Sequence, residues 1–588
     1  MSSIKQELVN LIIRQAGLSP RYVAASLGKS ARPELGDYSL ACFHLAKEKK
    51  TPPEQLAQKI AAAIKPVGLI EKVTVVYGYV NIFLNNAKVI EIVLKEELQI
   101  PQAGAGKTVV IDYSSPNIAK PFGIGHLRST VIGNALYKIY SALGYKCVGI
   151  NYLGDWGTQF GHVLDGLGGG QITDKEIDSI TNKIMSGEIN TVDLSTHYST
   201  SASSINSDNR ENARKIFQRL ESDDPTIKRF WASAKERSIK EFQRIYDLLG
   251  VTFDEYSGEA DTNKYLAQTI EDIKSKGLTE ISEGALVVKL DKHKMPPCLL
   301  RKSDGATLYA ARDIAAAIKR YEKYQFHKLI YVVGADQKLH FRQVFKVLEL
   351  MGYEWAKDCL HVDFGLVRFK GEKMSTRKGT AILLEDVLSQ AIERSETLMK
   401  ARSPELADKV SPEETKTVAR AVGIGAIIFN DLKNKRIKDV DFDWDQVLTF
   451  EGETGPYLQY THTRLTSILE KYALTNPKSQ AGLDSPVRGN DKGGAKFDLL
   501  NTTEEAVLIK FLKDYPDIIR QSAEESEPSI LSNYLLALAS LFNKFYQMHR
   551  VISDNQELTQ ARIVLVHRLK EVFNNGLVLL GITPLEKM

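Results

Sequence analysis

The cations Lys373, Arg377 and Lys378 fall within six residues, in the string Lys373-Met374-Ser375-Thr376-Arg377-Lys378-Gly379. They repel one another, and an anionic ligand would relieve that repulsion. Ser375 and Thr376 add hydroxyls able to hydrogen-bond phosphate oxygens. Far upstream, a strand-like run from Thr108 to Ile111 and a helix-like run from Leu127 to Leu143 enclose a Gly-, Pro- and Ser-rich loop. That loop ends in Gly123-Ile124-Gly125-His126. Backbone N–H groups and the positive dipole end at a helix start suit a nucleotide phosphate, and glycine lets a ligand approach the backbone. Alone, the first loop fits an ordinary strand-to-helix connection and the second a solvated basic turn.

Taken together, the two strings resemble the H-I-G-H and K-M-S-K-S motifs of class I aminoacyl-tRNA synthetases, which flank one ATP. Their order and separation also match. Ser114-Ser115-Pro116-Asn117-Ile118-Ala119-Lys120-Pro121 is similar to the arginyl-tRNA synthetase version. So are Leu153-Gly154-Asp155-Trp156-Gly157, Tyr256-Ser257-Gly258-Glu259, Ser303-Asp304-Gly305-Ala306-Thr307-Leu308-Tyr309 and Thr454-Gly455-Pro456-Tyr457. The matches run from Gly36-Asp37-Tyr38 to the terminal Leu585-Glu586-Lys587-Met588, so the resemblance spans essentially the whole chain. On these strings the sequence is identified as a member of the arginyl-tRNA synthetase family.

The resemblance implies arginine activation by ATP, expulsion of pyrophosphate, and transfer of the arginyl group to the terminal adenosine of tRNA. Such chemistry needs reactants held in line and phosphate charge neutralised, not a protein nucleophile. It implies ATP contacts at Gly123, Gly125, His126, Lys373, Met374, Ser375 and Thr376. Lys120, His126, Lys373 and Lys378 would serve the triphosphate as catalytic groups. Mg²⁺ would come with ATP and needs no protein cage. Glu259 and Asp313 match carboxylates that receive the guanidinium, a planar cation suited to bidentate pairing. Tyr309 lies four residues before Asp313, on one face if the segment is helical. Asn117 and Gln337 match residues that hold the α-amino and carboxylate end, with Ser115 assisting. Trp156 is expected to pack, and Asp155 and Gln159 to cap the following helix. For tRNA, Tyr77, Tyr79, Asn81 and Phe83 on one expected strand suit stacking on an unpaired base. Tyr546, His549, Arg550, Arg562 and Arg568 offer stacking and phosphate contacts.

One position departs from the family pattern: Gly123 stands where the first histidine is expected. Loss of one preorganised donor costs roughly 3 kcal/mol of transition-state stabilisation. Three consequences stay open. Backbone N–H of Gly123, or Lys120, supplies the stabilisation; activation is slower; or the chain binds tRNA without activating arginine. A tRNA-independent amino acid ligase on the same fold is disfavoured by the complete tRNA-side segments.

These residues must be positioned by several units. Residues 1–103 read as an N-terminal α+β domain, with helix patterns at Ile4 to Ala16 and Pro53 to Ile64 and a strand at Val73 to Leu84. Residues 104–448 read as an α/β Rossmann-like catalytic domain with a parallel sheet, because strand and helix patterns alternate. Its strands are Thr108 to Tyr113, Cys147 to Tyr152, Leu329 to Val333 and Leu360 to Val367, and ligands of such sheets bind at the strands' carboxyl ends. A Ser- and Asn-rich stretch, 165–225, reads as a polar surface insertion. Residues 449–588 read as an all-α helical bundle for the anticodon, interrupted by a loop at 477–497.

Composition sets wider bounds. At 588 residues and 43% hydrophobic, the chain can bury large cores. A net charge of +4 excludes little, so tRNA binding would rest on local basic faces. Four scattered cysteines and eleven histidines show no zinc or disulfide spacing, so no structural metal is expected and a reducing cytoplasm fits. No apolar run is long enough for a membrane span, and the N-terminal residues read as neither a secretory signal nor a transit peptide. A monomer is expected, as is common in the family.

Overall fold

The computed structural model describes residues 3–30, 32–96, 98–168, 172–203, 207–303, 307–369, 372–373, 382–402, 411–476 and 495–588. The expected ATP contacts Met374, Ser375 and Thr376, the catalytic Lys378, and most of the expected loop 477–497 lie outside these residues.

The N-terminal unit is a four-stranded antiparallel sheet with helices. Its strands are β1 (Leu27–Lys29), β2 (Tyr38–Ala41), β3 (Ile70–Val76) and β4 (Tyr79–Leu84), in the order β1-β2-β4-β3. Helix Ser3–Ala16 turns Ile4, Leu8 and Ile12 inward at helical spacing. The single strand expected from Val73 to Leu84 is instead a hairpin. Tyr77 and Gly78 both take positive φ, 46° and 81°, as a two-residue turn of the primed kind requires. Tyr77 therefore stands at a turn and not on the strand.

The catalytic unit is built on a five-stranded parallel sheet. β5 (Thr108–Asp112), β6 (Lys146–Leu153) and β7 (Glu255–Gly258) lie on one side. An antiparallel ribbon follows: β8 (Thr279–Ser282), β9 (Ala285–Val288) and β10 (Cys298–Arg301). β11 (Lys328–Gly334) and β12 (Cys359–Phe364) then complete the order β12-β11-β5-β6-β7. Val109, Val110 and Ile111 are all buried, because helices cover both faces of the sheet. The chain reverses direction of travel between β5 and β11, which opens the crevice where such sheets bind ligands. β7 and the ribbon were not expected from periodicity; their four-residue strands are too short to show it.

The polar stretch 165–225 is built as helices Asp174–Ser186, Thr191–Ser203 and Ser207–Glu221. Thr173 and Glu176 form a capping box at the first, and Asp224 caps the long helix Pro225–Leu249 that returns to the sheet.

Helices dominate from residue 411: Pro412–Leu432 ends the catalytic unit, and Gly455–Thr475, Thr503–Leu512, Tyr515–Glu524, Ser529–Met548 and Gln556–Leu579 form the last unit. The helix expected from Thr503 to Tyr515 stops at Leu512. A new helix starts at Tyr515, with Pro516 in its first turn, where a proline without an N–H is tolerated. One strand persists here: β15 (Val440–Phe442) pairs with β13 (Val367–Phe369), which also pairs with β14 (Glu372–Lys373).

A buried ion pair joins helix Pro412–Leu432 to the helix Leu127–Ala142 that follows β5. Arg128 is 1% exposed; its Nε donates to Asp431 Oδ2 at 2.9 Å and its NH1 to the Lys438 carbonyl at 2.7 Å. The N-terminal unit also docks on the helices, through Lys29–Asp514 at 2.6 Å and the Arg568 bond to the Glu96 carbonyl.

Candidate active site

The loop after β5 is held in an uncommon backbone. Ser114, Ser115 and Ala119 take φ of 70°, 48° and 59°, a left-handed conformation that costs energy in non-glycine residues. Polar partners offset that cost. Ser114 N–H donates to Ser129 Oγ at 2.9 Å, Ser115 Oγ to Asp112 Oδ1 at 2.7 Å, and Ala119 N–H to Ser238 Oγ at 3.0 Å. Asp112 is itself paired with the buried Arg320 at 2.7 Å, on the far side from Ser115. Burial pushes the Asp112 carboxyl upward, and Arg320 and the Ser115 hydroxyl oppose the shift. Sequence reasoning missed Asp112 and Arg320, because an acid closing an apolar strand and an arginine on a helix carry no motif.

Ile124–His126 forms a single tight turn that opens the helix Leu127–Ala142. A Cβ added at Gly125 would meet nothing within 4 Å, so one side of this backbone is open. At Gly123 the φ is −83°, ordinary for any residue, and a Cβ would meet only the Ile382 carbonyl oxygen at 3.7 Å. A histidine would fit there, so backbone shape does not explain the glycine. His126 Nδ1 lies 3.2 Å from the Gly123 carbonyl. A carbonyl only accepts, so Nδ1 carries the proton and Nε2 is the nitrogen left free. Burial, with a smaller contribution from the Lys120 charge, lowers the His126 pKa despite that bond. A pKa below the ordinary 6.5 leaves the imidazole mostly neutral near pH 7.

The glycine turn is tied through its backbone to the segment Ile382–Leu384. Ile124 N–H donates to the Ile382 carbonyl at 3.1 Å and Leu384 N–H to the Phe122 carbonyl at 2.9 Å. Lys373, upstream of that segment, pairs in register with Arg368. Backbone pairing thus holds Lys373 to Arg368 and Ile382 to Ile124.

Across the strand ends lies an acidic cluster. Glu259 opens the helix Glu259–Ser275 directly after β7. Burial raises its pKa to about 7, with Asp313 and Asp155 adding to the rise and Arg312 opposing it. Tyr309 is exposed at the first position of helix Tyr309–Tyr324, and Asp313 follows one turn later. Asp313 Oδ2 meets His340 Nε2 at 2.5 Å. Gln337 ends a short turn after β11 and is exposed, with His340 one turn further on. His340 and Arg312 were not expected as site residues; the i,i+3 spacing from Gln337 to His340 was the available signal.

Asp155 does not cap the helix that follows it. It is fully buried, paired with Lys235 at 2.6 Å, and its Oδ1 accepts from Ala260 N–H at 2.9 Å, so it caps the helix bearing Glu259. Gly258 permits this approach, since a Cβ there would lie 2.4 Å from the Asp155 carboxyl. Gln159 donates to the Gly154 carbonyl at 3.0 Å. Asn117 is exposed and bridges to Gly154, whose Cβ would fall 1.9 Å from Asn117 Oδ1. Trp156 packs edge-on against Phe217 and Trp231. Lys120 is half-buried, and burial lowers its pKa.

The structure separates the residues expected to meet tRNA. Tyr77 is 83% exposed and Tyr79 packs edge-on against Phe43. Asn81 is 2% exposed and accepts from Ser39 at 2.5 Å, because its side chain is covered by the neighbouring strand β2. It does not share the open surface of the two tyrosines. Phe83 is partly covered, under Lys72. Tyr546 and Arg550 are exposed, and Arg464 stacks over Tyr460 and Tyr546. Arg562 and Arg568 are not surface cations: they are buried, paired with Glu505 and Glu571. His549 faces Glu504.

Comparison with known proteins follows these divisions. The family model for the catalytic domain of class I tRNA synthetases (R) matches residues 88–444. The model for the DALR anticodon binding domain matches 458–588, and that for the arginyl tRNA synthetase N terminal domain matches 2–84. An arginine–tRNA ligase of Halothermothrix orenii is 43% identical, with all of both chains covered. Another, of Alkaliphilus metalliredigens, is 41% identical over the same extent. Among solved structures, the Thermus thermophilus arginyl-tRNA synthetase shares the fold at TM-score 0.77 and 23% identity, covering 99% of this chain and 100% of that one. That of Plasmodium falciparum does so at 0.79 and 22%, covering all of both chains.

Proposed function

Because this chain belongs to the arginyl-tRNA synthetase family and is an arginine–tRNA ligase, we propose that Glu259 and Asp313 receive the guanidinium of arginine while ATP lies along the open backbone at Gly125. The family uses ATP. The assignment of arginine is supported by Glu259 and Asp313, two carboxylates near one another at the strand ends, with burial raising the Glu259 carboxyl to about 7. Asn117, Ser115 and Gln337, on the loops after β5 and β11, hold the α-amino and carboxylate end. Tyr309 closes over the guanidinium.

In activation, a carboxylate oxygen of arginine attacks the α-phosphorus and the bond to the β-phosphate bridging oxygen breaks. Lys120, His126, Lys373 and Lys378 stabilise the charge moving onto pyrophosphate. His126 Nε2 takes a proton as phosphate approaches, since an adjacent anion raises the imidazole pKa that burial had lowered. Met374, Ser375 and Thr376 complete the nucleotide contacts. The 2′-hydroxyl of the terminal adenosine then attacks the arginyl carbonyl carbon and AMP leaves. The donors around the phosphates are cationic, and no group of three His, Cys, Asp or Glu among the described residues is arranged for a metal. Mg²⁺ arriving with ATP would neutralise phosphate charge beside Lys120 and Lys373 and needs no protein cage.

The reading extends to tRNA. Residues 1–103 meet the elbow through Tyr77, Tyr79 and Phe83, residues 104–448 carry the chemistry, and residues 449–588 meet the anticodon through Tyr546 and Arg550. The enzyme acts as a cytoplasmic monomer. Four unpaired cysteines fit a reducing compartment, and no helix of the described residues is long and apolar enough to cross a membrane.

Arginine-dependent ATP–pyrophosphate exchange, run with and without tRNA, tests this reading. Exchange is expected with tRNA only. Exchange without tRNA would remove the tRNA requirement. Silence under both conditions, with tRNA still bound, would assign the chain to tRNA binding alone.

A further inference from the structure

We infer that Tyr198, on the insertion helix Thr191–Ser203, is a positioning residue that holds the Lys120 ammonium for the triphosphate. The inference rests on the reading of Lys120 as a phosphate-facing cation. Lys120 Nζ lies 4.8 Å from the centroid of the Tyr198 ring. Burial is the one cause that shifts its pKa, with no carboxylate contributing. The backbone aims the side chain there: Ala119, just before it, has φ of 59° and is fixed by Ser238.

Tyr198 is itself braced. It packs edge-on against His162 at 5.9 Å and 89°, His162 Nδ1 meets Ser201 Oγ at 3.0 Å, and Ser201 donates to the buried Asp165 at 2.6 Å. Tyr198 and Ser201 are three residues apart on one helix face. The polar insertion thus delivers one aromatic ring to the edge of the active site. Tyr198 is also close enough to Tyr309 to contribute, after burial and Glu259, to that phenol's raised pKa.

An aromatic ring suits this task better than an acid. Its negative face attracts an ammonium strongly enough to restrict a four-carbon stem. It brings no net charge to repel a polyphosphate, and it releases the ammonium when a stronger anion arrives. A carboxylate in the same place would compete with ATP.

The test is a double-mutant cycle read by ATP–pyrophosphate exchange with tRNA present, using Tyr198→Leu, Tyr198→Phe, Lys120→Met and Tyr198→Leu/Lys120→Met. Thermal midpoints are measured in parallel. Tyr198→Leu is expected to lower kcat/KM for ATP about five- to tenfold, the loss of one partly buried cation–π contact. Tyr198→Phe is expected to keep wild-type activity, because the ring face remains. In the Lys120→Met background the Leu substitution should cost nothing further. A full additional loss there would show that Tyr198 acts independently of Lys120 and overturn the inference. Wild-type activity for Tyr198→Leu beside a disabled Lys120→Met would also overturn it while leaving the Lys120 assignment intact. An unimpaired Lys120→Met would overturn both.

Discussion

Glu259 offers a prediction in which function and stability move in opposite directions. Its carboxyl, ordinarily at 4.5, titrates at about 7, because burial disfavours the anion and Asp313 and Asp155 add like charge. A folded-state pKa above the unfolded one means that the native protein binds the proton more tightly. Stability therefore falls as pH rises from about 4.5 to about 7 and stays lower above that. At about 1.4 kcal/mol per pH decade, the ligand-free enzyme carries at most roughly 3 kcal/mol of strain at pH 8. Glu259→Gln removes the charge and keeps the shape. Its thermal midpoint should exceed that of the wild type at pH 8, and the gap should narrow toward pH 5.5.

Binding has the reverse dependence. Only the carboxylate can pair a guanidinium, so kcat/KM for arginine should fall about fivefold from pH 7 to pH 6 and approach tenfold per unit below. Glu259→Gln should lose at least about a hundredfold in kcat/KM for arginine, the order seen when one partner of a desolvated ion pair is removed. The assay is aminoacylation at saturating tRNA and ATP across pH 5.5–8.5, beside thermal melts without ligand. The reasoning is refuted if no acid limb lies between pH 6 and 8, or if the midpoint advantage of Glu259→Gln grows on acidification.

Other substitutions probe the remaining geometry. Gly123→His should leave exchange activity unchanged or raise it up to about tenfold, since a side chain fits and adds a donor; a severe loss with the fold intact would show that glycine is required. Gly125→Ala should fold normally but raise KM for ATP about tenfold or more, because a methyl enters the open space beside the backbone; unchanged ATP kinetics would move the nucleotide elsewhere. Gly154→Ala should displace the exposed Asn117 amide and raise KM for arginine with little change in melting. Arg128→Met should destabilise by about 3–5 kcal/mol by stranding the buried Asp431, and Arg128→Met/Asp431→Leu should recover much of that in denaturant titration.

The central sheet was legible because β5, β6, β11 and β12 are apolar runs alternating with helix-length amphipathic segments. The antiparallel ribbon was not, since its strands of four residues are shorter than a periodicity needs. Tyr77-Gly78 interrupts an alternating run by its backbone alone, so one strand was read where a hairpin stands. Arg562 and Arg568 look like surface cations in a helical sequence, and only their packing against Glu505 and Glu571 reveals ion pairs.

By itself the sequence offered the candidates: the glycine turn at Gly123–His126 and the cations from Lys373 to Lys378 through local spacing, and the acids Glu259 and Asp313 through the family resemblance. Tertiary structure decided which of them meet and in what state. Asp155 caps a helix more than a hundred residues away, Glu259 is raised to about 7 by burial with added like charge from Asp313 and Asp155, and the Ile382 carbonyl accepts from Ile124 N–H. Burial and through-space charge depend on the summed placement of distant segments, and no local string encodes either.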